Sequence, residues 1–204
     1  MIIELYGLSG SGKSTLARRL VEIDSAKFVL ADFSNKLERY FYLLLYLINN
    51  PVTFTNWLLF LWQNRKLFSY KLHLLFLSMA KLQKAVLIKD KKVLLDEGLL
   101  QRVLTIADSE IDNRLLDKLL KHLNKLGHLI IMEGGDWQRF VKYSNKENSP
   151  RVKMGQEYLE SWQNLQSKNN DIIKKYLAQK QSLKKYIYNK ENITAEKVTL
   201  DLID

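Results

Sequence analysis

The sequence predicts an α/β fold in three layers, a five-stranded parallel sheet with helices on both faces. Three observations predict it. Short apolar runs alternate along the chain with longer stretches whose apolar residues recur at helical spacing. A glycine-rich loop, "GLSGSGKST" at 7–15, stands directly between the first apolar run and the first helical stretch. The third run, "VLLDEG" at 93–98, ends on two carboxylates and a glycine, as a strand does when it delivers polar groups to the edge of a sheet.

In order, "MIIELY" (1–6) reads as a buried strand in which Glu4 needs a partner. Leu16, Ala17, Leu20 and Val21 mark the first helix, and "FVLAD" (28–32) the second strand. A helical pattern then fills 34–90: Leu37, Phe41, Leu44, Leu45 and Ile48, next 54–65, next Leu72, Leu75, Phe76, Met79 and Leu82. The turn "KDKK" leads into the third strand. "LLQRVLTIA" forms a helix, and another runs through Leu115, Leu116, Leu119, Leu120 and Leu123 to Gly127, which stands where a helix C-cap belongs. "HLIIME" (128–133) is the fourth strand. A polar tract with the turn signal "NSP" separates it from a long amphipathic helix through Tyr158, Trp162 and Leu165. "KKYIYN" (184–189) is the fifth strand and "ITAEKVTLDLI" a closing helix. No repeat or linker divides the chain, so residues 1–204 form a single domain.

Composition narrows the function. Apolar residues make up 47%, so a folded core is expected rather than disorder. The absence of cysteine excludes a disulfide scaffold and cysteine-bound zinc, and fits a reducing, cytoplasmic setting. The chain opens on a strand-like run without a basic leader, so no signal peptide is expected. The apolar stretch 41–62 is broken by "NNP" well short of the roughly 20 residues a spanning helix needs. No transmembrane segment is expected, and Trp57, Trp62, Trp137 and Trp162 read as core. His73, His122 and His128 lack metal-ligand spacing. The net charge of +10 favours anionic partners, with much of the excess at 174–190. A solvated helix face explains that tract equally well, so nucleic acid is not the expected partner, although a kinase of nucleic-acid ends would use the charge. A homodimer is compatible with the sequence.

The glycine loop fits G-x-x-x-x-G-K-[ST] through Gly7, Gly12, Lys13 and Ser14, with the strand before it and the helix after it that the motif requires. Glycines let backbone N–H groups converge on phosphate oxygens, and the helix N-terminus adds donors and partial positive charge. Gly7, Ser9, Gly10, Ser11 and Gly12 would form the cradle. Lys13 would reach the β and γ phosphates, Ser14 would ligate Mg²⁺, and Thr15 would support the loop or touch the α phosphate. The expected ligand is ATP with Mg²⁺.

With Gly10 the loop reads G-x-x-G-x-G-K-S-T and resembles that of P-loop small-molecule kinases. "GLSGSGKSTLA" is closest to adenylylsulfate kinases, a match confined to the loop. Transport ATPases of the ABC type carry "SGSGKST" too, but their L-S-G-G-Q signature is missing. In its order of elements the whole chain is similar to the nucleoside and nucleotide kinase group, thymidylate kinase foremost, on the strength of the loop, "DEG" and a basic lid-like tract. The group's "DRY" and "ERS" patterns are absent, so no acceptor is carried over. The resemblance implies an acceptor pocket built by the helices at 34–90, an acceptor-binding acid at Asp32, and adenine near "NKEN" (189–192). It also implies a lid at 139–153 whose Arg139 and Arg151 close over the transferring phosphoryl group.

Phosphoryl transfer needs a metal, positive charge and an aligned acceptor more than covalent chemistry. Asp96, at the carboxyl end of the third strand, suits a Mg²⁺ contact. Glu97 beside it could take the proton of an attacking hydroxyl, a role for which Asp32 competes. Arg102 lies about one and a half helical turns beyond Glu97 and could reach back to a phosphate. The chain is therefore expected to transfer the γ-phosphoryl of ATP to a small acceptor such as a nucleoside, a nucleotide or a sugar. The rival expectation is an NTP-binding switch or ATPase that docks a protein or membrane through its apolar helices.

Overall fold

The structure, a computed structural model, describes residues 1–146, 149–189 and 198, without the side chains of 139 and 143–146. Apart from Asn189 and Val198, the closing helix and the adenine region expected from the sequence lie outside the described residues.

Five strands form one parallel sheet: β1 (Ile2–Tyr6), β2 (Phe28–Leu30), β3 (Lys92–Leu95), β4 (His128–Met132) and β5 (Lys184–Tyr188), in the order β2-β3-β1-β4-β5. β1 is central. Its Ile3 pairs with Leu94 on one side and His128 on the other, so both neighbours run alongside it. The strand period of two splits β1 between two cores. Ile3 and Leu5 pack with Leu16, Ala17 and Leu20 of α1 (Lys13–Ile23). Ile2 and Tyr6 face the opposite layer.

That layer holds α2 (Lys36–Asn49), α3 (Pro51–Gln63), α4 (Phe68–Leu87), α5 (Leu99–Ile106), α6 (Asn113–Leu119) and α8 (Gln156–Ala178). α7 (Trp137–Lys146) follows β4. The helices begin where local chemistry directs. Asn35 accepts from Glu38 N at 2.8 Å while the Glu38 carboxylate accepts from Ser34 N at 2.7 Å, two orphan donors satisfied at the start of α2. Pro51 occupies the first turn of α3, where its missing N–H costs nothing. Among the described residues no helix is long and apolar enough to cross a membrane.

Glu4 finds the partners its burial demands. Its carboxylate accepts from Leu100 N at 2.8 Å at the start of α5, and its other oxygen meets His122 Nε2 at 3.2 Å. A Cβ at residue 98 would overlap that carboxylate, so glycine lets α5 start this close to β1 without displacing Glu4. The central strand thereby fixes the helix that follows Asp96 and Glu97.

Three expectations are corrected. The helix through Leu123 ends at Leu119 and gives way to a 3₁₀ turn, Lys121–Lys125. Gly127 caps no α-helix: its N–H donates to Ile2 O at 2.8 Å as the chain enters β4. Trp62 is not core but 65% exposed, whereas Trp57 and Trp162 are buried. The polar tract after β4 begins within α7.

Candidate active site

The site lies beyond the carboxyl ends of β1 and β3, where a parallel sheet with reversed strand order opens a crevice. The glycine loop leaves β1 and turns into α1 at Lys13. Gly10 adopts φ +81, and a Cβ there would collide with the Asp136 backbone carbonyl of the segment after β4. The loop is thus pinned between β1 and the start of α7 by a position only glycine fits. Lys13 is buried and folds over the loop, with Nζ donating to Gly7 O and Leu8 O at 2.9 Å each and to Ser11 Oγ at 3.4 Å. Its pKa is lowered to about 8, chiefly by burial; Arg102 adds to the shift, and Glu97 and Asp96 oppose it. Gly7 N donates to Gln101 Oε1 at 3.4 Å, which ties the loop to α5.

The two carboxylates after β3 diverge. Asp96 turns toward α1, where its Oδ2 accepts from Ser14 Oγ at 3.0 Å. Its Oδ1 meets Lys81 Nζ at 3.0 Å, and the same ammonium lies 3.1 Å from Asp32 Oδ1 at the end of β2. Burial pushes the Asp96 carboxyl up, but Lys81 and the Ser14 hydroxyl outweigh it and hold the group below its ordinary value. Glu97 turns toward α5, where its Oε2 pairs with Arg102 Nη2 at 2.6 Å. Burial again opposes ionisation, and the guanidinium again wins. Ser78 braces the pair, accepting from Arg102 Nε at 2.7 Å and donating to Glu97 O at 2.9 Å.

Sequence reasoning missed Ser78 and Lys81. Both sit inside the apolar pattern of α4, and a lysine in an otherwise buried helical stretch was the available signal. Tyr70, Leu74, Ser78 and Lys81 fall on successive turns of α4 and so share the face turned to the site.

A cavity of about 550 Å³ opens beside the loop. Ser9, Gly10, Gly12, Lys13, Ser14 and Thr15 form one wall, and Glu97, Gln101 and Arg102 another. Tyr70 and Leu74 of α4 close a third side, with Phe140, Ser149, Pro150 and Arg151 from the predicted lid. Arg151 is 3% exposed. Its Nη2 donates to Thr105 O, and its guanidinium lies 4.4 Å from the centre of the Trp162 ring and 5.0 Å from that of Tyr70. No carboxylate pairs with it among the described residues, its Nε has no hydrogen-bond partner there, and burial lowers its pKa. A desolvated cation beside a cavity favours an anionic ligand. Arg139 lies on α7, and its side chain is outside the described residues. Asp32 is brought to Asp96 through Lys81 rather than into the cavity wall.

Among the described residues no group of three or more His, Cys, Asp or Glu side chains could hold a metal ion. The Ser14 hydroxyl and Asp96 carboxylate are nonetheless two hard oxygens at one point. Such a pair suits Mg²⁺, which keeps several waters and takes its remaining ligands from phosphate oxygens.

No protein-family model and no curated protein sequence matches the chain. Solved structures do. The deoxyadenosine kinase of M. mycoides with bound dATP aligns at TM-score 0.53 and 13% identity, over 100% of this chain and 97% of the other. The same kinase with dCMP and dCDP aligns at TM-score 0.50 and 15% identity, over 100% and 96%. A shikimate kinase from Acinetobacter baumannii aligns at TM-score 0.49 and 11% identity, over 99% and 90%. With the all-parallel sheet and the loop between β1 and α1, the likeness to deoxyadenosine kinase gives this chain the α/β P-loop fold.

Proposed function

We propose that the chain is a phosphotransferase that uses ATP and Mg²⁺ to phosphorylate a hydroxyl of a small acceptor such as a nucleoside, a nucleotide or a sugar. One observation carries this reading: a single cavity brings Lys13 and Ser14 of the glycine loop together with Glu97, Arg102 and Arg151. A phosphate-binding loop, a carboxylate and two further cations lining one cavity are what phosphoryl transfer uses. That deoxyadenosine kinase of the same fold binds dATP supports a nucleotide at this loop.

In this reading Gly7, Ser9, Gly10, Ser11, Gly12 and Thr15 cradle the phosphates through their backbone and hydroxyl donors. The Lys13 ammonium exchanges the loop carbonyls it now holds for the β and γ oxygens. Ser14 and Asp96 would hold Mg²⁺, which would supply positive charge to neutralise the phosphates. Glu97 faces the cavity and accepts the proton of the acceptor hydroxyl, while Arg102 fixes its orientation. Asp32, on the far side of Lys81, supports Asp96 and the acceptor side. Tyr70 and Leu74 of α4 border the acceptor side of the cavity. The segment 139–153 acts as the lid, with Arg151, and Arg139 on closure, stabilising charge on the transferring group and excluding water.

Calorimetry with ATP and Mg²⁺ on the wild type and on Lys13→Ala tests the binding half of the proposal. The wild type should bind only with the metal, and the variant should lose affinity. Equal affinity in a folded Lys13→Ala chain contradicts the assignment of the loop.

A further inference from the structure

The buried stripe of α8 is apolar at both ends, with Leu159 and Trp162 before its middle and Ile173 and Leu177 after it. Between them stand three buried amides, Gln166, Asn169 and Asn170. Asparagine is a weak helix former, and a buried amide costs free energy unless it is hydrogen-bonded, so packing alone would place leucine here. Each amide reaches another part of the chain. Asn170 Oδ1 accepts from the hydroxyl of Tyr6, the last residue of β1, at 2.8 Å. Gln166 Oε1 accepts from Ser9 Oγ in the glycine loop at 3.4 Å, while its Nε2 has no partner among the described residues. Asn169 turns away from the loop: its Oδ1 accepts from Ile111 N and its Nδ2 donates to Ser109 O, at 3.1 Å each. A leucine at 166 would leave no buried donor orphaned there. What the amide adds is the bond to Ser9.

We propose that Gln166 and Asn170 are positioning residues, through which α8 holds the glycine loop in the shape that receives phosphate. The inference rests on the reading of that loop as an ATP site. The two amides lie four residues apart, on one side of the helix, and reach residues 9 and 6, on either side of Gly7. Gly7 N is held in turn by Gln101. Gly10 and Gly12 both adopt left-handed φ, in a loop whose glycines give it more backbone freedom to lose than any other residue would. Anchors outside the loop remove part of that freedom before the ligand arrives, and so raise affinity. Trp162 stands one turn before Gln166 on the same stripe, with the Arg151 guanidinium 4.4 Å from its ring centre. One helix thus carries contacts to the lid segment and to the loop.

Calorimetric titration of the full chain with ATP and Mg²⁺, paired with thermal unfolding, tests the inference. Gln166→Leu should weaken ATP binding ~10-fold, the scale of one lost hydrogen bond. Asn169→Leu, buried on the same stripe but bonded away from the loop, should lower the unfolding midpoint and leave the affinity unchanged. Tyr6→Phe combined with Asn170→Leu removes both partners of one bond, so neither is left orphaned and stability should stay near that of the wild type. Its ATP affinity should nonetheless be ~10-fold lower, because the loop has lost an anchor. Wild-type affinity in that double variant would make the bond structural and overturn the proposal. Equal losses of affinity in Gln166→Leu and Asn169→Leu would overturn it too. A wild type that binds no ATP overturns the reading of the loop and this inference with it, whereas binding that neither Gln166→Leu nor the double variant weakens overturns the inference alone. Should Gln166→Leu fail to fold, the double variant decides.

Discussion

The Lys81 ammonium lies 3.0 Å from Asp96 Oδ1, and on its other side 3.1 Å from Asp32 Oδ1. One cation on α4 thus holds the ends of β2 and β3 together. Without it two carboxylates would face each other, and repulsion would displace Asp96 from Ser14. Lys81→Met should therefore lower turnover by ~10-fold or more, the scale of a misplaced catalytic group, and raise the Mg²⁺ concentration needed for half-maximal rate. Steady-state kinetics across a Mg²⁺ titration measures both. A variant with unchanged metal dependence would reduce Lys81 to a structural strut.

Glu97 and Asp32 compete for the role of base, and the geometry separates them. Glu97 borders the cavity with Lys13, whereas Asp32 is 65% exposed at its side chain and held by Lys81. Glu97→Gln should bind ATP as the wild type does and turn over ~100-fold more slowly, the loss typical of a missing general base. Single-turnover rates decide it. Full activity in Glu97→Gln would transfer the role to Asp32.

Arg151 meets the cavity as a buried guanidinium without a carboxylate partner among the described residues. If it stabilises the transferring group, Arg151→Ala lowers kcat by ~10-fold or more and leaves ATP affinity nearly intact, since charge that acts in the transition state speeds chemistry rather than binding. Arg151→Lys keeps the charge but loses the guanidinium's contact with the Trp162 ring and should recover part of the rate. Equal rates in all three proteins would leave Arg151 with a packing role.

Much of this arrangement is legible in the sequence because it is local. The five strands and the loop follow from short-range periodicity and glycine spacing, and all five strands occur where the pattern puts them. Long-range partners were less legible. That Glu4 needs a partner is plain, but its pairing with Leu100 N and His122 spans about half the chain. Lys81 reads as one polar position in an apolar helix until β2 and β3 are side by side. The face of α2 misleads for a related reason: Leu37, Phe41, Leu44 and Ile48 recur at the spacing of a core face, yet all four are exposed.

His128 gives a pH signature to stability. It is buried on β4 with its ring 5.3 Å from that of Tyr186; burial, then Lys184 and Lys92, hold its pKa below the ordinary value. The unfolded chain takes up the proton more readily, so this contribution is complete above about pH 6.5 and is lost as pH falls through the lower folded value. Thermal unfolding of the wild type and His128→Gln at pH 7.5 and 5.5 checks the sign. The wild-type midpoint should fall more on acidification than that of the variant, and identical falls would remove His128 from the balance.

The central claim is transfer of the γ-phosphoryl group, and ATP labelled in that group tests it directly against a panel of nucleosides, nucleotides and sugars. The label should appear in an organic product, only with Mg²⁺, and should disappear from that product with Lys13→Ala. Label released solely as inorganic phosphate, at a rate no acceptor changes, would contradict the phosphotransferase account.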